Sequence, residues 1–182
     1  MSKIISFIPA RGGSSLKNKN IRDLCGQPLI SYTILDSLQT SQIQETYIST
    51  DSEEIANIAL KYGAEVPFLR PKKLAQDDSL LIDIVKHFLK WYNERFSEYP
   101  KYLVLLLATT PIRDIILIDN AITKIQNYPE ATGLRSVHEF SESPYKWFTK
   151  KEEYLYPLLT EDWTILDMPR QKVPQVLVPN GY

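Results

Sequence analysis

Cysteine is almost missing from this sequence: Cys25 is the only one in 182 residues. That excludes an internal disulfide and favours a reducing compartment. Cys25 itself reads as a small loop residue, because no flanking pattern supports a thiolate nucleophile. Histidine is scarce too, and His87 falls on a helical pattern with Trp91, not a metal ligand, four residues on. It reads as a packed or surface residue. No apolar run approaches the ~20 residues of a membrane span. No basic-then-apolar leader precedes the first apolar run, so the expectation is a soluble cytoplasmic protein. Neither charge sign dominates: 21 Lys and Arg stand against 22 Asp and Glu, a net charge of −1. General attraction to nucleic acid or anionic membrane is thereby excluded, and any affinity for phosphate has to be local. Neither G-x-G-x-x-G nor G-x-x-x-x-G-K-[ST] occurs. Spacing therefore argues against dinucleotide-binding, dehydrogenase and P-loop readings. There is no internal repeat and no low-complexity linker.

The remainder is ordinary for a globular protein, with 43% hydrophobic and 24% charged residues, and the length predicts one domain over residues 1–182. The informative stretch comes first. Ile4 to Ile8 is a short apolar run that reads as a buried strand. It stops at Pro9 and leads into Ala10-Arg11-Gly12-Gly13-Ser14, followed by Lys17, Lys19 and Asn20. Glycines allow backbone amides to turn outward, and such amides beside cationic side chains form a nest for phosphate oxygens. A solvated turn after an edge strand is the other reading. Roughly seventeen residues separate this strand from the helix expected to begin near Pro28, well beyond the usual two to six. A loop of that length in a compact domain is usually functional or disordered.

Further along, Thr46–Thr50 predicts a second strand, with Asp51 as helix N-cap and Glu54 completing a capping box. Asp51 also stands at the carboxyl end of a strand, where open α/β sheets bind ligands. Gly63 should end that helix, and Glu65–Leu69 reads as a third strand. One of Asp77, Asp78 and Ser79 should cap a long helix carrying Ile84, Val85, Phe88, Leu89 and Tyr92. Tyr102–Ala108 is apolar without alternation, as in a strand covered on both faces. Thr109-Thr110-Pro111-Ile112-Arg113 forms a hydroxyl-rich turn ahead of another helix, and Thr132–Val137 predicts a final inner strand. Alternating strands and helices predict an α/β fold with a doubly wound, mostly parallel, three-layer sheet. From about Glu139 the character changes, with five prolines among Tyr145, Trp147, Phe148, Tyr154, Tyr156 and Trp163. Such a segment predicts little regular helix and a wrapping role, around the core or a neighbouring subunit.

Taken together, the motifs resemble the acylneuraminate cytidylyltransferase (CMP-sialic acid synthetase) family over residues 3–181. They are Ile8-Pro9-Ala10-Arg11-Gly12-Gly13-Ser14, Lys19-Asn20-Ile21, Ser49-Thr50-Asp51, Phe68-Leu69-Arg70-Pro71 with Leu74-Ala75 and Asp77, and Thr109-Thr110-Pro111-Ile112-Arg113. Ser143-Pro144-Tyr145-Lys146-Trp147, Pro169-Arg170-Gln171 and Pro179-Asn180-Gly181 follow. The resemblance implies a nucleotide-diphospho-sugar transferase-like fold and a Mg2+-dependent reaction of CTP with a nine-carbon acidic sugar: sialic, legionaminic or pseudaminic acid. The sugar's anomeric hydroxyl attacks the α-phosphorus, giving a CMP-sugar and pyrophosphate. It implies Arg11 and Lys19 as catalytic groups on the triphosphate, with the Gly12, Gly13 and Ser14 amides and Asn20 beside them. Arg70, Asp77 and Ser79 would hold base and ribose. Thr110, Lys146, Arg170, Gln171 and Asn180 would serve the sugar, arginine suiting its carboxylate through a two-pronged hydrogen-bonding fork. Residues 139–175 would form a homodimer arm lending residues to the partner's site, or else a flap on their own subunit.

Departures from the family pattern are equally specific. Ser15 stands where the family has lysine, Leu107 and Ala108 where it reads Gln-Pro, and Leu81 where it has a small hydroxyl residue. The family holds Mg2+ with an Asp-x-Asp pair that lies beyond Tyr182. Asp51, Asp77 and Asp78 are the acidic alternatives, since a hard cation wants carboxylate oxygens. A shortened form of a longer enzyme and an incomplete metal site both remain open. The competing functions are nucleotidyl transfer with another base or to a sugar phosphate, and a non-catalytic nucleotide-binding or dimerisation protein.

Overall fold

A computed structural model describes residues 3–13, 16 and 18–180. These residues fall into two compact units, one running to Leu134 and the other covering Arg135–Asn180. The first is an α/β layer structure. Its strands β1 (Ile4–Pro9), β4 (Glu45–Ser49) and β5 (Tyr102–Leu105) form a parallel sheet in the order β4-β1-β5. Ile5 lies opposite Glu45 and Leu103, and Pro9 opposite Ser49.

Alternation along β1 sends its side chains into two cores. Ile4 and Ile8 meet Ile30 and Ile34 of α1 (Leu29–Gln39), Ile55 and Ala59 of α2 (Glu53–Lys61), and Ile118 and Ile122 of α4 (Ile115–Gln126). Ile5 and Phe7 face the other way, onto Ile84, Phe88 and Tyr92 of α3 (Leu81–Phe96). Helices therefore cover both sheet faces, as the alternation of elements predicts. The second core is aromatic: the Phe7 and Phe88 rings lie 4.6 Å apart and those of Tyr47 and Phe88 5.2 Å apart. Ser6 is the polar exception on β1. Its hydroxyl accepts from Ser37 at 2.5 Å, and Ser37 and Thr46 share a hydrogen bond of 2.7 Å.

Several expectations change at the edges of elements. Glu65–Leu69 is not a strand but two isolated parallel bridges, Tyr47 with Glu65 and Thr50 with Leu69. Pro67 lies between them and has no N–H for a continuous ladder. β5 stops at Leu105 instead of Ala108: Leu106 still donates to Phe7, but Pro9 lacks the amide that would take the ladder further. Thr132–Val137 is not an inner strand. Its last residue opens β6 (Val137–Glu139), an exposed strand that pairs antiparallel with β9 (Leu177–Pro179) in the second unit. The run has too few apolar side chains to fill a sheet interior.

The long first loop contains structure of its own. A 3-10 turn over Lys19–Ile21 precedes a hairpin of β2 (Asp23–Leu24) and β3 (Gln27–Pro28). Cys25 at φ 53° and Gly26 at φ 88° supply the two left-handed positions of its tight turn. Pro28 caps α1 from outside instead of starting it. Gly63, at φ 92°, ends α2 as expected.

The second unit adds the hairpin β7 (Phe148–Lys151) and β8 (Tyr154–Pro157), with a single short helix, α5 (Thr164–Asp167). Trp147, Phe148, Tyr154, Tyr156 and Trp163 are all exposed.

Replacing Phe88 with alanine should lower unfolding stability by about 3–5 kcal/mol in urea titrations, because it empties the centre of the aromatic core. His87 yields a pH prediction. Burial holds its pKa below the ordinary histidine value, and Arg70, Lys73 and Lys90 push the same way. The unfolded chain therefore takes up this proton at a higher pH than the fold does. Stability should be full above about pH 6.5 and fall as pH drops through the range below it. In His87→Gln, the loss of urea midpoint between about pH 7 and pH 5 should be smaller than in the parent.

Candidate active site

The end of β1 and the chain just beyond β5 border one cavity of about 300 Å³. Open α/β sheets place ligands at the carboxyl ends of their strands. Arg11, Lys19 and Asn20 enter from the loop after β1, and Arg70, Gln76, Asp77 and Ser79 from the segment before α3. Leu74, Leu81, Ile84 and Leu107 form an apolar wall. Six of the residues singled out in the sequence therefore line one cavity: Arg11, Lys19, Asn20, Arg70, Asp77 and Ser79.

Local geometry fixes each of them differently. Arg11 Nη2 reaches Asp77 Oδ1 at 2.5 Å, and the Asp77 side chain is 93% exposed. An exposed pair of this kind is worth about 0–1 kcal/mol, so an anion can displace the carboxylate. Asn20 is buried and donates through Nδ2 to the Arg11 carbonyl at 3.0 Å, folding the loop back on itself. Asn18, left-handed at φ 56°, precedes the turn that presents Lys19. Lys19 makes no salt bridge among the described residues.

Arg70 is 4% exposed and is committed to backbone, donating to Ser49 O at 2.7 Å and Leu74 O at 3.3 Å. Burial pushes its pKa down, and neighbouring Asp51 opposes that. In this state Arg70 braces the cavity wall. Ser79 Oγ accepts from the Gln76 amide at 2.9 Å, closing the loop that carries Asp77. None of Asp77, Asp78 and Ser79 caps α3, whose N-cap is Leu80 without a side-chain hydrogen bond. Asp77 and Ser79 have these other partners.

The two glycines behave unlike each other, and neither has positive φ. A Cβ on Gly12 would lie 2.9 Å from Ser52 Cβ, whereas one on Gly13 would meet nothing within 4 Å. The Gly12 amide donates to Asp51 Oδ1 at 2.9 Å. Asp51 is therefore not the N-cap of α2. Ser52 is, accepting from Ile55 N at 3.4 Å. Ser14 lies outside the described residues.

Thr110 is not on the cavity wall. Its amide turns back to Leu107 O at 3.2 Å, and Thr109 faces the cavity instead. Lys146, Arg170, Gln171 and Asn180 all belong to the second unit. There Lys146 Nζ donates to Met168 O at 2.5 Å, Arg170 and Gln171 begin a 3-10 turn, and Asn180 N donates to Ser136 O at 3.2 Å.

Sequence reasoning missed Gln76 as a lining residue, and it missed the support given by Arg113. The Arg113 side chain is fully shielded and donates to Leu107 O at 2.5 Å and Thr33 Oγ1 at 2.8 Å. Asp36 stands 3.8 Å from it. Burial pushes the Asp36 carboxyl above the usual carboxylate range, and Arg113 opposes the shift. The arginine that ends the hydroxyl-rich turn Thr109–Arg113 is the signal in the sequence.

The acidic residues considered for Mg2+ do not converge. Asp51 holds an amide, Asp77 holds Arg11, and no cluster of three metal-ligating side chains exists among the described residues. The described residues do not by themselves fit a Mg2+ site.

A family model described as cytidylyltransferase matches residues 5–160. This chain belongs to the cytidylyltransferase family. A CMP-N,N'-diacetyllegionaminic acid synthase of Legionella pneumophila is 42% identical over 121 residues, 66% of this chain and 52% of that protein. A pseudaminic acid cytidylyltransferase of Campylobacter jejuni is 39% identical over 127 residues, 69% of this chain and 54% of that one. The chain spans about half the length of these relatives. Its fold is similar to that of a CMP:2-keto-3-deoxy-manno-octonic acid synthetase solved with CTP, at a TM-score of 0.71 and 17% identity, covering 99% of this chain and 72% of that one.

The glycine contrast is testable. Gly12→Ala should destabilise the fold by about 1–3 kcal/mol, through forced displacement at Ser52. Gly13→Ala should stay within about 0.5 kcal/mol of the parent. Urea midpoints measured side by side check both.

Proposed function

We propose that this chain, or the enzyme it is part of, transfers a cytidylyl group from CTP to a nine-carbon acidic sugar, giving a CMP-sugar and pyrophosphate. One observation carries the reading: Arg11, Lys19 and Asn20 meet an apolar wall in a single cavity at the strand ends. A triphosphate suits the cationic end and a flat pyrimidine the wall of Leu74, Leu81, Ile84 and Leu107. The names of the relatives supply the chemical class.

The reaction asks the protein mainly for placement and charge. The sugar hydroxyl oxygen forms a bond to the α-phosphorus, the bond to the pyrophosphate oxygen breaks in line with it, and the hydroxyl proton is released. Arg11 exchanges the Asp77 carboxylate for phosphate oxygens, and Lys19 adds a second cation. Both stabilise charge that moves onto the leaving pyrophosphate. Leu81 and Leu107, where family members carry polar residues, make the wall more apolar and bear on the choice of base and sugar. The family resemblance links Lys146, Arg170, Gln171 and Asn180, all in the second unit, to the acidic sugar. The exposed aromatics of Arg135–Asn180 suit a homodimer arm. Dependence on CTP and an unpaired cysteine suit a cytoplasmic setting.

Pyrophosphate release should appear with CTP, Mg2+ and a nonulosonic acid, and not with GTP and a sugar phosphate. The reverse pattern would replace cytidylyl transfer with the other base. Nucleotide binding without turnover would leave a binding protein. Arg11→Ala and Lys19→Ala should each weaken CTP binding about tenfold or more, as expected for a lost charge-assisted contact. Circular dichroism should remain that of the parent.

A further inference from the structure

We propose that Asp51 is a positioning residue: its carboxylate anchors the phosphate-binding bend through the Gly12 amide. The inference rests on the nucleotide reading of the cavity and adds a residue that neither binds nucleotide nor caps a helix.

An acid beside a site for a triphosphate is unfavourable, because like charges repel. Its presence therefore needs another physical reason. Helix capping does not supply one, since Ser52 performs that task for α2. What Asp51 holds is the Gly12 N–H, at 2.9 Å. Two further contacts run along the same seam. Ala10 N donates to Ser49 O at 2.9 Å, and Gly12 lies so close to Ser52 that a Cβ would come within 2.9 Å of it. Residues 10–12 are thus laid against 49–52, and the seam ends at Gly12. One residue later the restraint is gone: a Cβ on Gly13 would have open space. Asp51 therefore sets the point from which the bend leaves the sheet, with Arg11 just before it.

Arg70 makes this placement tolerable. Its buried guanidinium donates to Ser49 O at 2.7 Å, two residues before Asp51, and the Asp51 charge favours its cationic form. The Gly12 amide is engaged by protein, so the anion-binding donors in this bend begin at Gly13. A charge-assisted hydrogen bond from a backbone amide is about twice as strong as a neutral one. An aspartate here is a firmer anchor than an asparagine, though an asparagine offers a carbonyl oxygen at the same place.

Amide hydrogen exchange by NMR and CTP titration, on the whole chain as parent, Asp51→Ala and Asp51→Asn, test the proposal. In Asp51→Ala the Gly12 amide should exchange at least about tenfold faster while the β1 amides of Ile5 and Phe7 keep their protection, and the CTP dissociation constant should rise about tenfold. Asp51→Asn should recover both to within about threefold of the parent. Unchanged Gly12 exchange in Asp51→Ala overturns the anchor. So does a loss shared equally by Ile5 and Phe7, or an Asp51→Asn no better than Asp51→Ala. Faster Gly12 exchange with CTP affinity unchanged overturns the link to nucleotide. A parent that binds no CTP, with Gly12 still released in Asp51→Ala, overturns the nucleotide reading and leaves the anchor standing.

Discussion

The carbonyl oxygen of Ser49, at the last position of β4, accepts from the Ala10 amide at 2.9 Å and from the Arg70 guanidinium at 2.7 Å. Both lone pairs of one carbonyl are thereby used. Three segments distant in sequence meet at this atom: the bend after β1, the end of β4, and the stretch that leads to α3. Arg11, Lys19 and Asn20 follow the first, Asp51 the second, and Asp77 and Leu81 the third. The first and third of these segments line the cavity together with Leu107, Ala108 and Thr109 after β5, and the end of β4 ties the two to each other. Pro9 contributes by lacking the amide that would extend the ladder with β5, which ends at Phe7 and Leu105, while its own pairing with Ser49 persists.

Electrostatics at the site are local, as the near-neutral charge of the whole chain requires. Two carboxylates, Asp51 and Asp77, stand among Arg11, Lys19 and Arg70. They differ in what holds them. Asp77 is exposed and held by an ion pair that an anion can replace. Asp51 is bonded to the backbone and sits beside a buried guanidinium. The first is a mobile counter-charge and the second a fixed part of the framework. The apolar wall completes the division of labour, since a nucleotide has one charged end and one flat, weakly polar end.

The stretch after Leu134 follows a different plan. Arg135–Asn180 has small antiparallel pairs, no long helix, and large aromatic side chains open to solvent. Little of its apolar surface is buried internally, so its order depends on turns and short ladders. Prolines at 144, 157, 169, 174 and 179 explain this: each removes an amide donor and fixes φ, which suppresses helix and limits strand length.

Local sequence determined a good deal. Periodicity and composition are enough to place β1, β4 and the helices α1, α2, α3 and α4, because each element buries a face whose spacing is visible in the chain. The ordered motifs marked Arg11, Lys19, Asn20, Arg70, Asp77 and Ser79, and all six line one cavity. What the sequence left undecided was which partner each polar group would take. Residue type and spacing favour Asp51 as the N-cap of α2. Only the approach of Gly12, from a loop thirty-nine residues earlier, assigns the amide to Asp51 and the cap to Ser52. Pro67 and Pro9 likewise cut short strands that composition alone would extend, because a ladder depends on the amide of the facing chain. Tertiary structure decided these points for one reason: a hydrogen-bonding group is satisfied by whatever the fold brings within about 3 Å of it, and distance along the chain does not reveal that.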